Sequence, residues 1–410
     1  MNGGVKNRSI LLIVLGLVMF FIWKVDGAIR LIDVPGTAFK IAQGFKMIEV
    51  APPEICENIQ AIAFDTHGRL FVSTGNDIRI LTDSNRDGLF DGFTIFSDIS
   101  ASGGILFDHT GLFVFSQNSL YRLVDANGDG LIDSQPINLI ELGGDEPLFQ
   151  TIKRGPDGWW YLAAGYGINI NNLQIAGFPL IYRKDGGVIL RFTPDFSGAQ
   201  IFAHGFFIPS GFDFSKDGEL FVCDNAGSDS QLLPFKHQTR LLKVKNGSHC
   251  GWLEQVNNEP IARPDYYFDT ESPIENLGVS IPSRLVIYKH RQFPEYFYNG
   301  VFLPIWSSGK ILFFPELKKE GSIGSSELFF EAIGNNDFAP IDITVAPDGS
   351  LFVATGGAKT KSAIYKIQFI APQKTPVEVA ESVSPVLKVL NYPQPFEAWS
   401  RMNWVPLAEK

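Results

Sequence analysis

From Ile62 to Thr74 the chain sets two short apolar runs, Ile62-Ala-Phe64 and Leu70-Phe-Val72, on either side of the polar stretch Asp65-Thr-His-Gly-Arg69. Runs this short, broken by a glycine-containing turn, read as two strands of a hairpin, because Asp-Gly or His-Gly supplies the positive φ that a tight turn needs. The same pattern returns at Leu106–Val114, Lys153–Leu162, Phe212–Val222 and Ile343–Val353, and in blurred form at Gly300–Trp306. Most copies are followed by a further apolar run that predicts a third strand: Ile78–Leu81, Leu120–Leu123, Val188–Phe192, Leu241–Val244, Lys310–Phe314 and Ala363–Ile367.

The turn glycines Gly68, Gly111, Gly158, Gly218, Gly300 and Gly349 stand 43, 47, 60, 82 and 49 residues apart. A four-stranded propeller blade takes about 40 to 50 residues, so the two long intervals hold insertions and the count of units is six. A solenoid, the competing repeat architecture, would have a shorter period and fewer strands per unit. The expected fold is therefore all-β, a six-bladed β-propeller with four-stranded antiparallel blades over residues 29–370. Beyond Ile370 the repeats stop, and the Pro-containing tail 371–410 reads as either a flexible end or a strap across the propeller.

Composition agrees with this: 35 Phe and 40 Gly in 410 residues suit sheets packed through aromatics and joined by many turns. The formal net charge of −10, with no basic stripe to offset it, excludes a nucleic-acid partner. Near the start, Lys6 and Arg8 precede an apolar run from Ile10 to Trp23. A spanning helix needs about 20 residues, so this run has the length of a signal-peptide core, and residues 1–28 are expected to act as a signal peptide or N-terminal membrane anchor. The charges ahead of the run place the propeller outside the cytoplasm, in a periplasmic or extracellular setting. Cys56, Cys223 and Cys250 are too few for a disulfide framework and leave at least one thiol unpaired, with a Cys223–Cys250 bridge or a plain buried thiol both open.

Two loops share the pattern D-x-N-x-D-G-x-x-D: Asp83, Asn85, Asp87 and Asp91 in one, Asp125, Asn127, Asp129 and Asp133 in the other. Alternating oxygens around a glycine bend suit a hard cation such as calcium, although the bidentate Glu of a full calcium loop is replaced by Thr94 and Pro136. The same residues also form ordinary Asx turns between strands. His67 and His109 occupy hairpin turns and read as solvated. The densest polar cluster is Asp224, Asn225, Arg240, His249 and Trp252, which reads either as a ligand site or as a solvated rim.

These phrases, with Gly155-Pro-Asp-Gly-Trp-Trp-Tyr161, Gly205-Phe-Phe-Ile-Pro-Ser-Gly-Phe-Asp-Phe214, Gly247-Ser-His-Cys-Gly-Trp252 and Pro340-Ile-Asp-Ile-Thr-Val345, resemble the glucose/sorbosone dehydrogenase-like quinoproteins over roughly Phe45 to Phe369, within them the bacterial branch labelled membrane-bound dehydrogenases. The resemblance implies a six-bladed propeller oxidising a sugar or alcohol with pyrroloquinoline quinone, calcium holding the cofactor, a His as general base, and electrons leaving to a separate acceptor. The His position reads Gln150, which cannot take a proton near neutral pH. The family's Gly-x-Arg-Asn-Pro phrase reads Gly205-Phe-Phe207-Ile-Pro209, so the guanidinium that would meet the acidic cofactor is absent. Gln150, Asp224 and His249 are then the catalytic candidates, and Phe207, Asn225, Arg240 and Trp252 the cofactor-contacting ones. Two further functions stay open: a non-catalytic propeller binding a glycan or an envelope protein, and a lactonase-like metal hydrolase.

Overall fold

The computed structural model describes residues 29–101, 103–141, 149–167, 170, 173, 186–225, 238–256, 259–263, 267–317, 322–334, 338–357, 360–370, 388 and 391–408. The apolar run Ile10–Trp23 lies outside them, and among the described residues no helix is long and apolar enough to cross a membrane. The described chain from Leu31 onward is a six-bladed propeller of small antiparallel sheets.

Blade 1 is formed by Ile59–Phe64, Leu70–Thr74, Ile78–Thr82 and Gly92–Ser97, from the axis outward. Blade 2 repeats this with Ile105–Asp108, Gly111–Ser116, Ser119–Leu123 and Ile137–Glu141. Blade 3 contains Phe149–Arg154, Trp160–Ala164, Gly187–Phe192 and Ala199–Phe206, with Ser248–His249 added in parallel at its outer edge. Blade 4 contains Ile208–Phe214, Leu220–Asn225, Arg240–Val244 and the short Glu275–Asn276.

The blurred repeat is blade 5, whose inner strand is only Val286–Ile287 before Val301–Ile305, Lys310–Phe314 and Glu327–Ala332. N-terminal strands Phe39–Ala42 and Leu31–Val34 extend its outer edge. Blade 6 takes Pro340–Val345, Leu351–Thr355 and Ala363–Phe369, and its outer strand is Phe45–Ala51 from the other end of the chain. Inner strands of successive blades pack side by side, and that of blade 6 returns to that of blade 1.

The hairpin glycines adopt the left-handed backbone the sequence demands: φ is +81° at Gly68, +81° at Gly158, +83° at Gly218 and +82° at Gly349. These turns share one face of the disc, here the turn face. Every inner strand begins at the opposite face, here the mouth. Strands of blades 1 to 3 place Phe71, Phe113, Phe115, Trp160 and Phe192 between sheets, each at most 2% exposed. All three cysteines are free and buried, so no Cys223–Cys250 bridge forms, and Cys223 packs in the core between blades 4 and 5.

The C-terminal segment is a strap. Gln394 and Ser400 are fully buried, and Trp399 joins a core cluster with Ile62 and Phe64 of blade 1 and Phe352 and Ile364 of blade 6. Phe396 meets Phe214 of blade 4 at 6.3 Å, and the Gln394 N–H donates to Lys289 O at 3.2 Å. Both partners lie at the turn-face ends of their inner strands, so the segment 391–408 crosses the axis on that face.

Candidate functional site at the channel mouth

At the mouth, the starts of the inner strands converge on a cavity of about 330 Å³ lined by Gln60, Ser210, Ser283, Arg284, Trp306 and Gly357. Four blades deliver its lining: Gln60 from blade 1, Ser210 from blade 4, Ser283 and Arg284 ahead of blade 5 with Trp306 after its second strand, and Ile341 and Gly357 from blade 6. Arg284 Nη1 donates to Gln60 O at 2.8 Å and faces Asp342 Oδ2 at 3.3 Å. Asp342 also accepts the Ile62 N–H at 2.9 Å, and burial raises its pKa against the pull of Arg284. Trp306 Nε1 donates to Gly356 O at 3.0 Å, which fixes the indole as a rigid wall. A larger cavity of about 870 Å³ lies on the turn face between Lys216, Arg291, Glu295 and Tyr296, away from the convergent inner strands.

Gln60, Ser283, Arg284 and Trp306 were not among the sequence candidates. Blade 5 has a two-residue inner strand and no hairpin phrase, so nothing in the repeat pattern marked Ser283 or Arg284. Gln60 lies inside the phrase Ile59-Gln-Ala-Ile, where it reads as one polar position of a strand.

The predicted polar cluster forms beside this mouth, with Asp224, Arg240 and Trp252 buried and Asn225 and His249 half-buried. Asp224 and Arg240, on adjacent strands of blade 4, are each 1% exposed and pair at 3.0 Å. The Phe207 N–H donates to both Asp224 oxygens, at 2.9 and 3.2 Å, and Arg240 donates to Cys250 O. Burial pushes the Asp224 carboxyl up to about 6, with Arg240 pulling the other way. The pair thus ties the crossover between blades 3 and 4 to the insertion between the third and outer strands of blade 4. Cys223 and Asp224 lie near the end of the second strand of blade 4, Leu220–Asn225.

Phe207 fills its place with apolar contacts: it stacks on Tyr166 at 4.6 Å and packs against Trp252 at 4.6 Å, and is 8% exposed. Asn225 ends the same strand as Asp224, its Oδ1 buried and without a partner among the described residues. Gln150 lies in the inner strand Phe149–Arg154, and its side chain is outside the described residues.

His249 sits 4.7 Å from His204, edge to face, and its Nδ1 accepts the Gly251 N–H at 2.9 Å. That bond leaves the proton on Nε2, which is buried without a partner among the described residues, so the lone pair a general base needs is already engaged. Burial, then His204, pushes the imidazole down to about 4. Gly205, at φ +79°, lets this packing occur: a Cβ there would lie 2.9 Å from both Cys250 N and His249 Cε1.

The acidic loops join third to outer strands in blades 1 and 2 and emerge on the turn face, as shown by Arg69 of the first hairpin reaching Asp125 at 3.4 Å. Their carboxylates turn inward onto loop amides. Asp83 accepts from Asp87 and Gly88, Asn85 from Asp87, Asp87 from Leu89, and Asp91 from Ser84. Asp125 accepts from Gly128 and Gly130, Asn127 from Asp129, Asp129 from Leu131, and Asp133 from Ala126. Among the described residues no three His, Cys, Asp or Glu side chains converge to hold a metal ion.

Several solved structures share this fold. A calcium structure of a Trichoderma reesei carbohydrate-active enzyme of family AA12 superposes with a TM-score of 0.62 at 12% identity, over 82% of this chain and 98% of that one. The holo PQQ domain of Coprinopsis cinerea pyranose dehydrogenase gives 0.60 at 12% identity, over 82% and 98%. The PQQ-bound aldose sugar dehydrogenase of Streptomyces coelicolor gives 0.54 at 16% identity, over 79% and 98%. At such identities the likeness is one of architecture: the chain has the six-bladed propeller of the PQQ-dependent sugar dehydrogenases. No curated protein matches the sequence. The profile of one family, described as "Domain of unknown function (DUF7133)", matches residues 36–355, most of the propeller, and the chain belongs to that family.

Proposed function

We propose that the protein binds a neutral, hydroxyl-rich small molecule, a sugar or polyol, at the channel mouth, without quinone chemistry of the kind its fold neighbours carry. The observation behind this reading is the state of the mouth's cations. Among the described residues, Arg284 faces Asp342 and Arg240 faces Asp224, each opposite its own carboxylate. The place where the resemblance calls for a third guanidinium holds Phe207, locked in an aromatic stack. Pyrroloquinoline quinone carries three carboxylates, and desolvating them against neutralised pairs and a phenyl ring is unfavourable. These residues do not fit that cofactor.

They suit a sugar better. The fixed Trp306 indole offers a flat apolar face, and Gln60, Ser210, Ser283 and Arg284 offer hydrogen-bonding groups around it. The cavity is at the small end of ligand pockets, which run from about 300 Å³. Sugar dehydrogenation remains the second reading, favoured by the fold neighbours whose names carry a quinone and a sugar.

Calorimetric titration of the purified protein separates the two. Expected is binding of a mono- or oligosaccharide that weakens about tenfold or more in Trp306→Ala, a loss of roughly 1.4 kcal/mol, with no heat from pyrroloquinoline quinone, calcium or both. Saturable one-to-one quinone binding would restore the dehydrogenase reading, and silence towards every sugar would remove the carbohydrate one.

We further infer export, with the run Ile10–Trp23 as signal or anchor and the propeller outside the cytoplasm. In intact cells, added protease should then cleave the protein only once any outer envelope layer is permeabilised. Protection persisting until the cytoplasmic membrane is lysed would count against it.

A further inference from the structure

Among the described residues, three cations and three carboxylates pair along the axis of the propeller. On the mouth side Arg284 pairs with Asp342 at 3.3 Å. Deeper, Lys289 faces Asp213 at 3.4 Å and donates to Phe214 O at 2.6 Å. At the turn-face end, Lys153 faces Glu397 at 3.4 Å, with the two side chains 19% and 12% exposed.

The three carboxylates differ in origin. Asp213 accepts the N–H groups of Ile287 and Phe214, and Asp342 those of Ile62 and Ile343, so both are built into the inner strands. Glu397 belongs to no blade. It arrives on the C-terminal strap, held by the Gln394 bonds to Lys289 and by the burial of Trp399.

We propose that the closed end of the channel is a carboxylate-binding site, built on Lys153 of blade 3 and occupied in cis by Glu397. Charge balance is the physical reason: with Glu397 in place these three pairs balance, and without it one ammonium stands uncompensated at a largely buried channel end. Burial alone would lower the Lys153 pKa, yet Glu397 first, then Asp213 and Asp342, drive it upward. A cavity of about 30 Å³ touching Thr151, Lys153, Asp342 and Glu397 holds about one water, so a second carboxylate enters only where the glutamate's own has been removed.

That condition sets the experiment. Glu397→Ala removes a group that acetate or formate can reproduce. Its thermal midpoint should fall below the parent's and be restored, saturably, by millimolar acetate but not by chloride at equal ionic strength. Glu397→Gln fills the space and should fall without acetate rescue, and adding Lys153→Met to Glu397→Ala should abolish the rescue. Acetate shifting the parent and Glu397→Ala equally, or rescuing the double variant, would overturn the proposal. Should Glu397→Ala not fold, a cycle of Glu397→Gln with Lys153→Met decides: the double variant should keep a folding constant about threefold or more above the product expected from the singles, and plain additivity would refute the pairing.

Discussion

Two half-buried histidines make the protein's acid response a matter of single hydrogen bonds. His249 and His290 each accept, at Nδ1, the N–H two residues ahead, from Gly251 at 2.9 Å and Gln292 at 3.1 Å. Burial pushes each imidazole down to about 4, and protonation would turn the accepting nitrogen into a donor facing a donor. In the unfolded chain a histidine titrates near ~6.5. The stability that comes from keeping these rings neutral is therefore fully present above that value and is lost as pH falls to about 4. Asp224, pushed up to about 6 by burial, acts oppositely: its protonation favours the fold as pH falls from about 6 towards its unfolded value. Asn at either histidine position keeps a δ-oxygen acceptor for the same amide without the titration. The double variant His249→Asn/His290→Asn should therefore lose less stability than the parent between pH 7 and 4.5. The difference should be on the order of 2 kcal/mol for His290 and smaller for the more exposed His249. Denaturant titrations at the two pH values test this, and equal losses in both proteins would mean that the native rings are not held neutral.

The strands most visible in the sequence are those whose local chemistry is sufficient by itself. Hairpins Ile59–Thr74 and Pro340–Thr355 announce themselves because an apolar run, a turn glycine and a second run lie within sixteen residues or so, and all six predicted third strands form. Outer strands are less visible because much of their surface faces solvent: Gly92–Ser97 and Ile137–Glu141 each expose three residues. The strand Phe45–Ala51 carries no repeat phrase, since its partner Ala363–Phe369 lies at the far end of the sequence and only the closed ring brings them together. Blade 5 was legible as a unit but not in detail, because its inner strand shrinks to Val286–Ile287. The acidic loops are a different case. Their spacing correctly marks equivalent turns in consecutive blades, and the loop amides donate to their carboxylates. The cluster at Asp224 and Arg240 was found as a cluster while its burial was not. Pairing across adjacent strands, which removes it from solvent, is a property of the sheet.

At the scale of the whole molecule the ring is closed twice, and the second closure was legible only as one of two alternatives for the tail. Phe45–Ala51 completes blade 6 through hydrogen bonds, while the C-terminal strap spans several blades through side chains. Trp399 lies in the cluster that contains Val50, Ile62 and Phe64 together with Phe352, Ala354 and Ile364, which is the seam where the last blade meets the first. Its exposure is 6%, and its Nε1–H is buried without an acceptor among the described residues. The two parts of the indole should therefore act with opposite sign: the rings stabilise the seam by packing, and the N–H costs desolvation. Trp399→Ala removes both and leaves a cavity where blades 6 and 1 join, for which a loss of about 3–5 kcal/mol is expected. Trp399→Phe keeps most of the packing and deletes the unpartnered donor, so its loss should be well under half as large. Urea midpoints of the two variants against the parent measure this. A loss below about 1 kcal/mol for Trp399→Ala would show that the strap frays in solution and that the strand Phe45–Ala51 closes the ring alone.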